Sequence, residues 1–356
     1  MMFLSINARP QIVKEVRLAG GACAAEVGRQ RSHIGNSGVR ASQSSIIDFL
    51  SSACFWRWRW HAFGQCENNL PTSESTIDAS QLIWSRMAMP FPENLYVGTS
   101  SWSCPDWVGP FYPPALKPGH FIEAYARRFR AVEIDSTYYS TPARPVVMAW
   151  REKTPPGFIF AAKVPGVITH EKVLRNCAAE FTTFLSTMEL LGDRLGPLVL
   201  QFPYFNKNVF PSRDPFEKLL RPFLKCLPKD FQFVLEIRNK NWISWDFLEL
   251  LREHSVAFAL VAQAWMPGID TLAKALDVVT SDFCYARFIG DRKGIESKTQ
   301  KWDKLIEDKS AEMTIWSTEL KKIVDRGVRT YAFFNNHYAG FAPGSVKAFE
   351  DLWDKG

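Results

Sequence analysis

Eight short apolar runs recur between residues 95 and 335, nearly every one separated from the next by a single helix-length amphipathic segment. Few architectures accept that rhythm. The runs are LYVGT (95–99), AVEID (131–135), FIFAAK (158–163), PLVLQF (197–202), FVLEI (233–237), VAFALV (256–261), FCYARF (283–288) and TYAFFN (330–335). Residues 118–129, 143–152, 178–191, 215–224, 245–254, 302–326 and 345–353 carry apolar side chains at three- and four-residue spacing; the sixth and seventh runs are joined by only a short helix around 272–276. Strand alternating with helix in this way, over about 250 residues, predicts an α/β chain closed into a parallel (β/α)8 TIM barrel. An open doubly wound sheet is the alternative, but no G-x-G-x-x-G follows the first run and no Walker loop is present.

Successive side chains of a strand point to opposite faces, so each run can be sorted by parity. In FQFVLEIRNKNW (231–242), Phe233, Leu235 and Ile237 share one face while Val234, Glu236 and Arg238 share the other, which turns charged where the strand stops. Placing the consistently apolar parity under the helices sends Glu133, Asp135, Lys163, Gln201, Glu236, Arg238, Arg287 and Asn335 into the barrel near the strand ends. A barrel built only for stability fills those layers with Val, Ile and Leu. Polar groups converging from several strands predict a site at the C-terminal face.

The loops after the strands continue that chemistry. They bring Trp102 and Trp107, Tyr138 and Tyr139, His170, Trp242, the GDRKG turn, and Asn336 with His337. Aromatic rings around a cationic mouth suit a flat or sugar-like ligand bearing an acidic group, or splayed nucleotide bases.

Residues 1–94 read differently. They hold scattered Arg, Ser and Gly without sustained periodicity, and the FWRWRWH stretch (55–61) lacks an amphipathic context. A poorly ordered extension is expected, and Met87 and Met89 offer a start just before the first strand, so that 1–94 falls outside the domain of 95–356. No run of about 18 apolar residues argues for a membrane span. Seven cysteines without a C-x-x-C spacing suit a reducing, cytoplasmic setting. A formal net charge of +6 is compatible with anionic partners and identifies none. The sequence sets no oligomeric state.

The segments GTSSW with W-x-G-x-FYP, VEIDSTYYSTP, TP-x-x-F-x-F-x-x-K, ITH, GPLVLQFP, LEIRNKNW, ARFIGDR and FFNNHYAGFAP occur in this order. Together they resemble the YecE-like family, also called domain of unknown function 72, from Leu95 to about Trp353. The resemblance implies a TIM barrel and assigns no chemistry. Two departures stand out against the family pattern: E-x-N is here Glu133-Ile-Asp135, and a sixth-strand Asp is replaced by Ala262 before Gln263.

The residues themselves point to a hydrolase-like enzyme on a small phosphate- or carboxylate-bearing molecule. Glu236 is read as general acid or base with Glu133 or Asp135 as the second carboxylate. Lys163, Arg238 and Arg287 would hold the anion, while Gln201, Asn335 and Asn336 orient the rest and Trp102, Tyr138, His170, Trp242 and His337 line the site. No cofactor is expected. Six histidines without an H-x-x-x-H pair give little support to a metal, even one drawing on His170, His337 and Asp135 or Glu236. A nucleophilic Cys104 lacks a partner spacing. The alternative is a nucleic-acid-binding barrel or phosphodiesterase resembling barrel-type abasic-site endonucleases, in which Arg292 and Lys293 would add phosphate contacts.

Overall fold

The structure, a computed structural model, describes residues 91–355. The expectations for 1–90, including the FWRWRWH stretch, lie outside the described residues. Residues 91–94, assigned by sequence to the extension, are anchored on the barrel. Phe91 meets the ring of Trp353 edge-on at 5.9 Å, and Asn94 Nδ2 donates to the Val324 carbonyl at 2.9 Å.

Eight strands form one sheet: β1 Leu95–Thr99, β2 Ala131–Ile134, β3 Ile159–Lys163, β4 Leu195–Gln201, β5 Phe233–Glu236, β6 Ala257–Ala262, β7 Phe283–Phe288 and β8 Arg329–Phe334. They pair in parallel in the order β1-β8-β7-β6-β5-β4-β3-β2. The helices are α1 Phe121–Tyr125, α2 Arg144–Glu152, α3 Ala178–Met188, α4 Asp214–Lys225, α5 Trp245–Glu253, α6 Ile269–Ala275, α7 Arg292–Glu296, α8 Ser310–Asp325, α9 Asn336–Ala339 and α10 Ala342–Trp353. This is the expected (β/α)8 barrel, nearly closed.

Parity held along the sheet. Val132, Ile134, Phe160, Ala162, Leu198, Leu200, Leu235, Ile237, Ala286, Phe288, Ala332 and Phe334 join the core under the helices. The lumen has its own cluster, in which Phe283, Tyr285, Tyr331 and Phe333 from β7 and β8 face Ala131, Ala161, Ala257 and Ala259 from β2, β3 and β6. Large rings opposite alanines fill the interior that branched aliphatics usually fill. They occupy the lumen up to the last turn of the strands, where the charged layer begins.

β1 and β2 end the pairing order without a ladder between them. Gly98 permits their approach, because a Cβ there would sit 2.0 Å from the Ala131 carbonyl oxygen. The Tyr125 hydroxyl, from the end of α1, accepts from Thr99 N at 2.8 Å and donates to Ala131 O at 3.1 Å. One phenol thus bridges the seam. Tyr125→Phe should leave a buried N–H and C=O unsatisfied and lower unfolding free energy by about 1–3 kcal/mol. Urea unfolding reads this directly, and a change below about 0.5 kcal/mol, the range of an ordinary surface substitution, would show that the bridge is dispensable.

One helix differs from expectation. The apolar spacing predicts one helix over 302–326, but α8 starts at Ser310, and the short α7 lies ahead of it. Asp308 Oδ1 accepts from Ser310 N at 2.9 Å, which closes the helix start. The preceding stretch is instead held by tertiary bonds, Trp302 N to Asp106 Oδ2 at 3.0 Å and Ile306 N to Ala339 O at 2.7 Å. Among the described residues no helix is long and apolar enough to cross a membrane.

Candidate active site at the C-terminal mouth

Arg287, near the end of β7 and only 2% exposed, is the centre of the charged layer. Its Nε and Nη2 form a fork on Glu133, to Oε2 at 2.8 Å and Oε1 at 2.7 Å. Nη1 donates to Glu236 Oε2 at 2.6 Å, and Nη2 also reaches Asp135 Oδ1 at 3.2 Å. A planar guanidinium suits this use, since its donors lie in one plane and match carboxylates from β2 and β5 at once. Tyr285, one pleat below, donates to Glu133 Oε2 at 2.6 Å. Arg238 Nε donates to Glu236 Oε1 at 2.6 Å and its Nη1 to Gln263 Oε1 at 2.6 Å.

This network redistributes the roles expected from sequence. Burial raises the pKa of Glu236, but Arg238 and Arg287 outweigh it and hold the carboxyl at about 2. With both oxygens in short charge-assisted bonds, Glu236 stays an anion at neutral pH and does not exchange protons there. Glu236 is corrected from an acid–base group to a counter-ion of Arg287. Glu133 accepts from Arg287 through both oxygens and from Tyr285, and Arg287, committed to three carboxylates, is corrected from an anion ligand to the keystone of the mouth.

Asp135 and Lys163 remain. Asp135 begins the 3-10 turn that follows β2, and its side chain is 31% exposed. Desolvation in the mouth pushes its pKa up against the pull of Lys163, with Glu133 adding to the rise. Desolvation lowers the pKa of Lys163 against the pull of Asp135. Lys163 Nζ forms no hydrogen bond or ion pair with any described residue; it lies 4.5 Å above the centre of the Tyr138 ring. Arg238 Nη2 also carries no hydrogen bond among the described residues. Thr137 Oγ1 donates to Ile134 O at 2.8 Å and Lys163 O at 2.7 Å, fixing the ends of β2 and β3 that carry the pair.

The other expected residues divide. His170, on a π-helical turn (Val167–Glu171), packs edge-on to Tyr138 at 4.9 Å, and burial with Lys163 and Arg238 nearby lowers its pKa to about 4. It therefore stands neutral at the rim. Gln201 points into the barrel, but its Nε2 donates to Phe202 O at 2.6 Å. Asn335 Oδ1 caps α9 by accepting from His337 N at 3.0 Å, and Asn336 Oδ1 accepts from Trp107 Nε1 at 3.2 Å and Ala342 N at 2.9 Å. Both asparagines are corrected from substrate contacts to loop fasteners. His337 is held between Asn335 Oδ1 at 2.6 Å and Glu296 Oε1 at 3.1 Å. Trp242 stacks on Phe205 and Phe216, and Trp102 packs edge-on to Trp150 and Phe160 in the outer layer. Neither indole joins the charged cluster, because loop side chains follow the nearest apolar wall. Burial pushes the Cys104 thiol up to about 11, which suppresses the thiolate. Of the two cations given to a nucleic-acid contact, Arg292 Nε pairs with Glu296 at 2.8 Å on the same helix.

Sequence reasoning missed Tyr285, Thr137 and Gln263. Tyr285 was within its reach, since it is one pleat from Arg287, the inward position assigned on β7. Among the described residues no group of three or more His, Cys, Asp or Glu is placed to hold a metal ion.

The chain matches the family model described as "Protein of unknown function DUF72" over residues 96–356. The UPF0759 protein YecE of Escherichia coli K12 is 34% identical over 151 residues, 42% of this chain and 50% of YecE, so the match spans half the length of that relative. The UPF0759 protein YunF of Bacillus subtilis is 23% identical over 280 residues, covering 73% of this chain and 95% of YunF. A crystal structure of a DUF72 family protein from Thermotoga maritima is 29% identical with a TM-score of 0.56, covering 73% of this chain and 98% of that one. The match of the model across the whole barrel carries the conclusion: the chain belongs to the DUF72 family.

Proposed function

We propose that the mouth of the barrel is the active site of an enzyme that hydrolyses a small substrate bearing a phosphate or carboxylate. The observation that carries this reading is the contrast within the charged layer: Glu133, Glu236 and Arg287 satisfy one another, whereas Lys163 Nζ and Arg238 Nη2 carry no hydrogen bond beside a carboxyl, Asp135, whose pKa is raised. The two cations hold the anionic group. Asp135, protonated, gives its proton to the leaving oxygen as water adds to the electrophilic carbon or phosphorus and the bond to that oxygen breaks; the proton released by the water returns to the carboxylate. Burial of the neighbouring ion pairs keeps the donors oriented before the substrate arrives.

One observation favours a second reading. The strongly exposed aromatics Tyr139 and Tyr204 lie in segments that follow strands β2 and β4, and so offer stacking surfaces to unpaired bases.

A single binding experiment separates the readings. Inorganic phosphate and small carboxylates should raise the melting temperature of the wild-type chain, and Lys163→Met should abolish that rise while folding normally. If the anions act equally on Lys163→Met, the mouth is not their site. If only single-stranded oligonucleotides stabilise the chain, with affinity falling steeply with salt, the nucleic-acid reading replaces the first.

A further inference from the structure

Beside the mouth, between the loop after β6 and helix α8, lies a cavity of about 260 Å³. Met266, Ile269, Ile315 and Trp316 form an apolar wall, and Asp270, Asp291, Glu312 and Lys309 also line the space. Gln263 stands at the boundary between this chamber and the charged layer. The residue is 8% exposed, and its Oε1 is occupied by Arg238 Nη1 at 2.6 Å. Its Nε2 carries no hydrogen bond to any described residue, although Gln263 lines the cavity. With Oε1 committed to Arg238 and Nε2 open to the cavity, the amide presents a fixed donor to whatever enters.

We propose that this chamber is a second subsite for the substrate, taking an aromatic or compact apolar group that carries a carbonyl or similar acceptor. The proposal rests on the reading of the mouth as the anion site. An apolar cavity of about 150 Å³ already accommodates benzene, so this volume admits a substituted ring. The acceptor takes the Gln263 amide proton while the ring lies against Trp316 and Ile269. Gln263 then touches both ends of the arrangement, because the same side chain steadies the Arg238 guanidinium. The class of substrate is thereby narrowed to an anion joined to an acceptor-bearing apolar group, such as an aryl phosphate or aryl carboxylate.

Inorganic phosphate, 4-acetylphenyl phosphate and neutral acetophenone serve as probes in calorimetric titration of the full chain. The aryl phosphate should bind wild type at least about tenfold more tightly than phosphate, the gain expected from burying a ring of this size. Ile315→Trp and Met266→Trp, which block the chamber from α8 and from the loop after β6, should remove that gain and leave phosphate binding intact. A gain that persists in both blocked variants, or no gain in wild type, overturns the chamber while the mouth stands on its sensitivity to Lys163→Met. Phosphate binding indifferent to Lys163→Met overturns the mouth and, with it, a shared substrate; acetophenone binding lost in the blocked variants would then retain the chamber as a site of its own.

Discussion

Arg287→Met should unfold the barrel more readily than any other single change in the mouth, lowering stability by about 3–5 kcal/mol. In a domain of this size that corresponds to a fall in melting temperature of roughly 10 °C. The reason is what remains. Glu133 and Glu236 are fully buried, and removal of the guanidinium leaves Glu133 with only the Tyr285 hydroxyl and Glu236 with only Arg238. A methionine fills much of the space but returns no donor. The double variant Arg287→Met, Glu133→Leu should recover part of the loss, since it removes an uncompensated charge together with its partner. Calorimetry on both variants decides the matter. Equal destabilisation of the single and the double variant would mean that packing around Arg287, and not stranded charge, dominates.

That expectation reverses the role sequence gave to Glu236, and the reversal shows where sequence reading stops. Pleat alternation is a local property, so Glu133, Lys163, Glu236 and Arg287 were correctly sent into the lumen from a few neighbouring residues each. Their pairing is not local. Arg287 and Glu133 are separated by 154 positions, and which acid meets which cation depends on the closure of eight strands, so a catalytic carboxylate and a counter-ion look alike in the chain. The same limit explains Trp102 and Trp242. A loop has no period, and an indole after a strand turns toward whichever aromatic wall the helices supply. The overlong helix at 302–326 failed for a related reason, because its apolar spacing was real while its first turns were drawn away by bonds to Asp106 and Ala339. Gln263 follows the sixth strand, for which the sequence offers no charged parity to read, and its bond to Arg238 spans 25 positions.

Asp135→Asn should separate function from stability in the direction opposite to Arg287→Met. Loss of the proton donor should lower turnover of a phosphate- or carboxylate-bearing ester by about 10²–10⁴-fold, the range typical of a general acid. The asparagine can still accept from Arg287 through Oδ1, so the network survives. The sign of the stability effect follows from the raised pKa. The folded chain binds the Asp135 proton more tightly than the unfolded chain does. Wild type is therefore favoured below the ordinary carboxylate pKa, and loses that advantage as pH rises through the raised folded value. The neutral asparagine never meets that penalty. Melting temperatures compared at pH 4 and pH 8 should show Asp135→Asn gaining on wild type at the higher pH, while wild-type turnover declines over the range in which Asp135 releases its proton. A variant that loses turnover and melting temperature together at both pH values would make the Asp135 bond to Arg287 structural and nothing more, and leave the mouth without its proton donor.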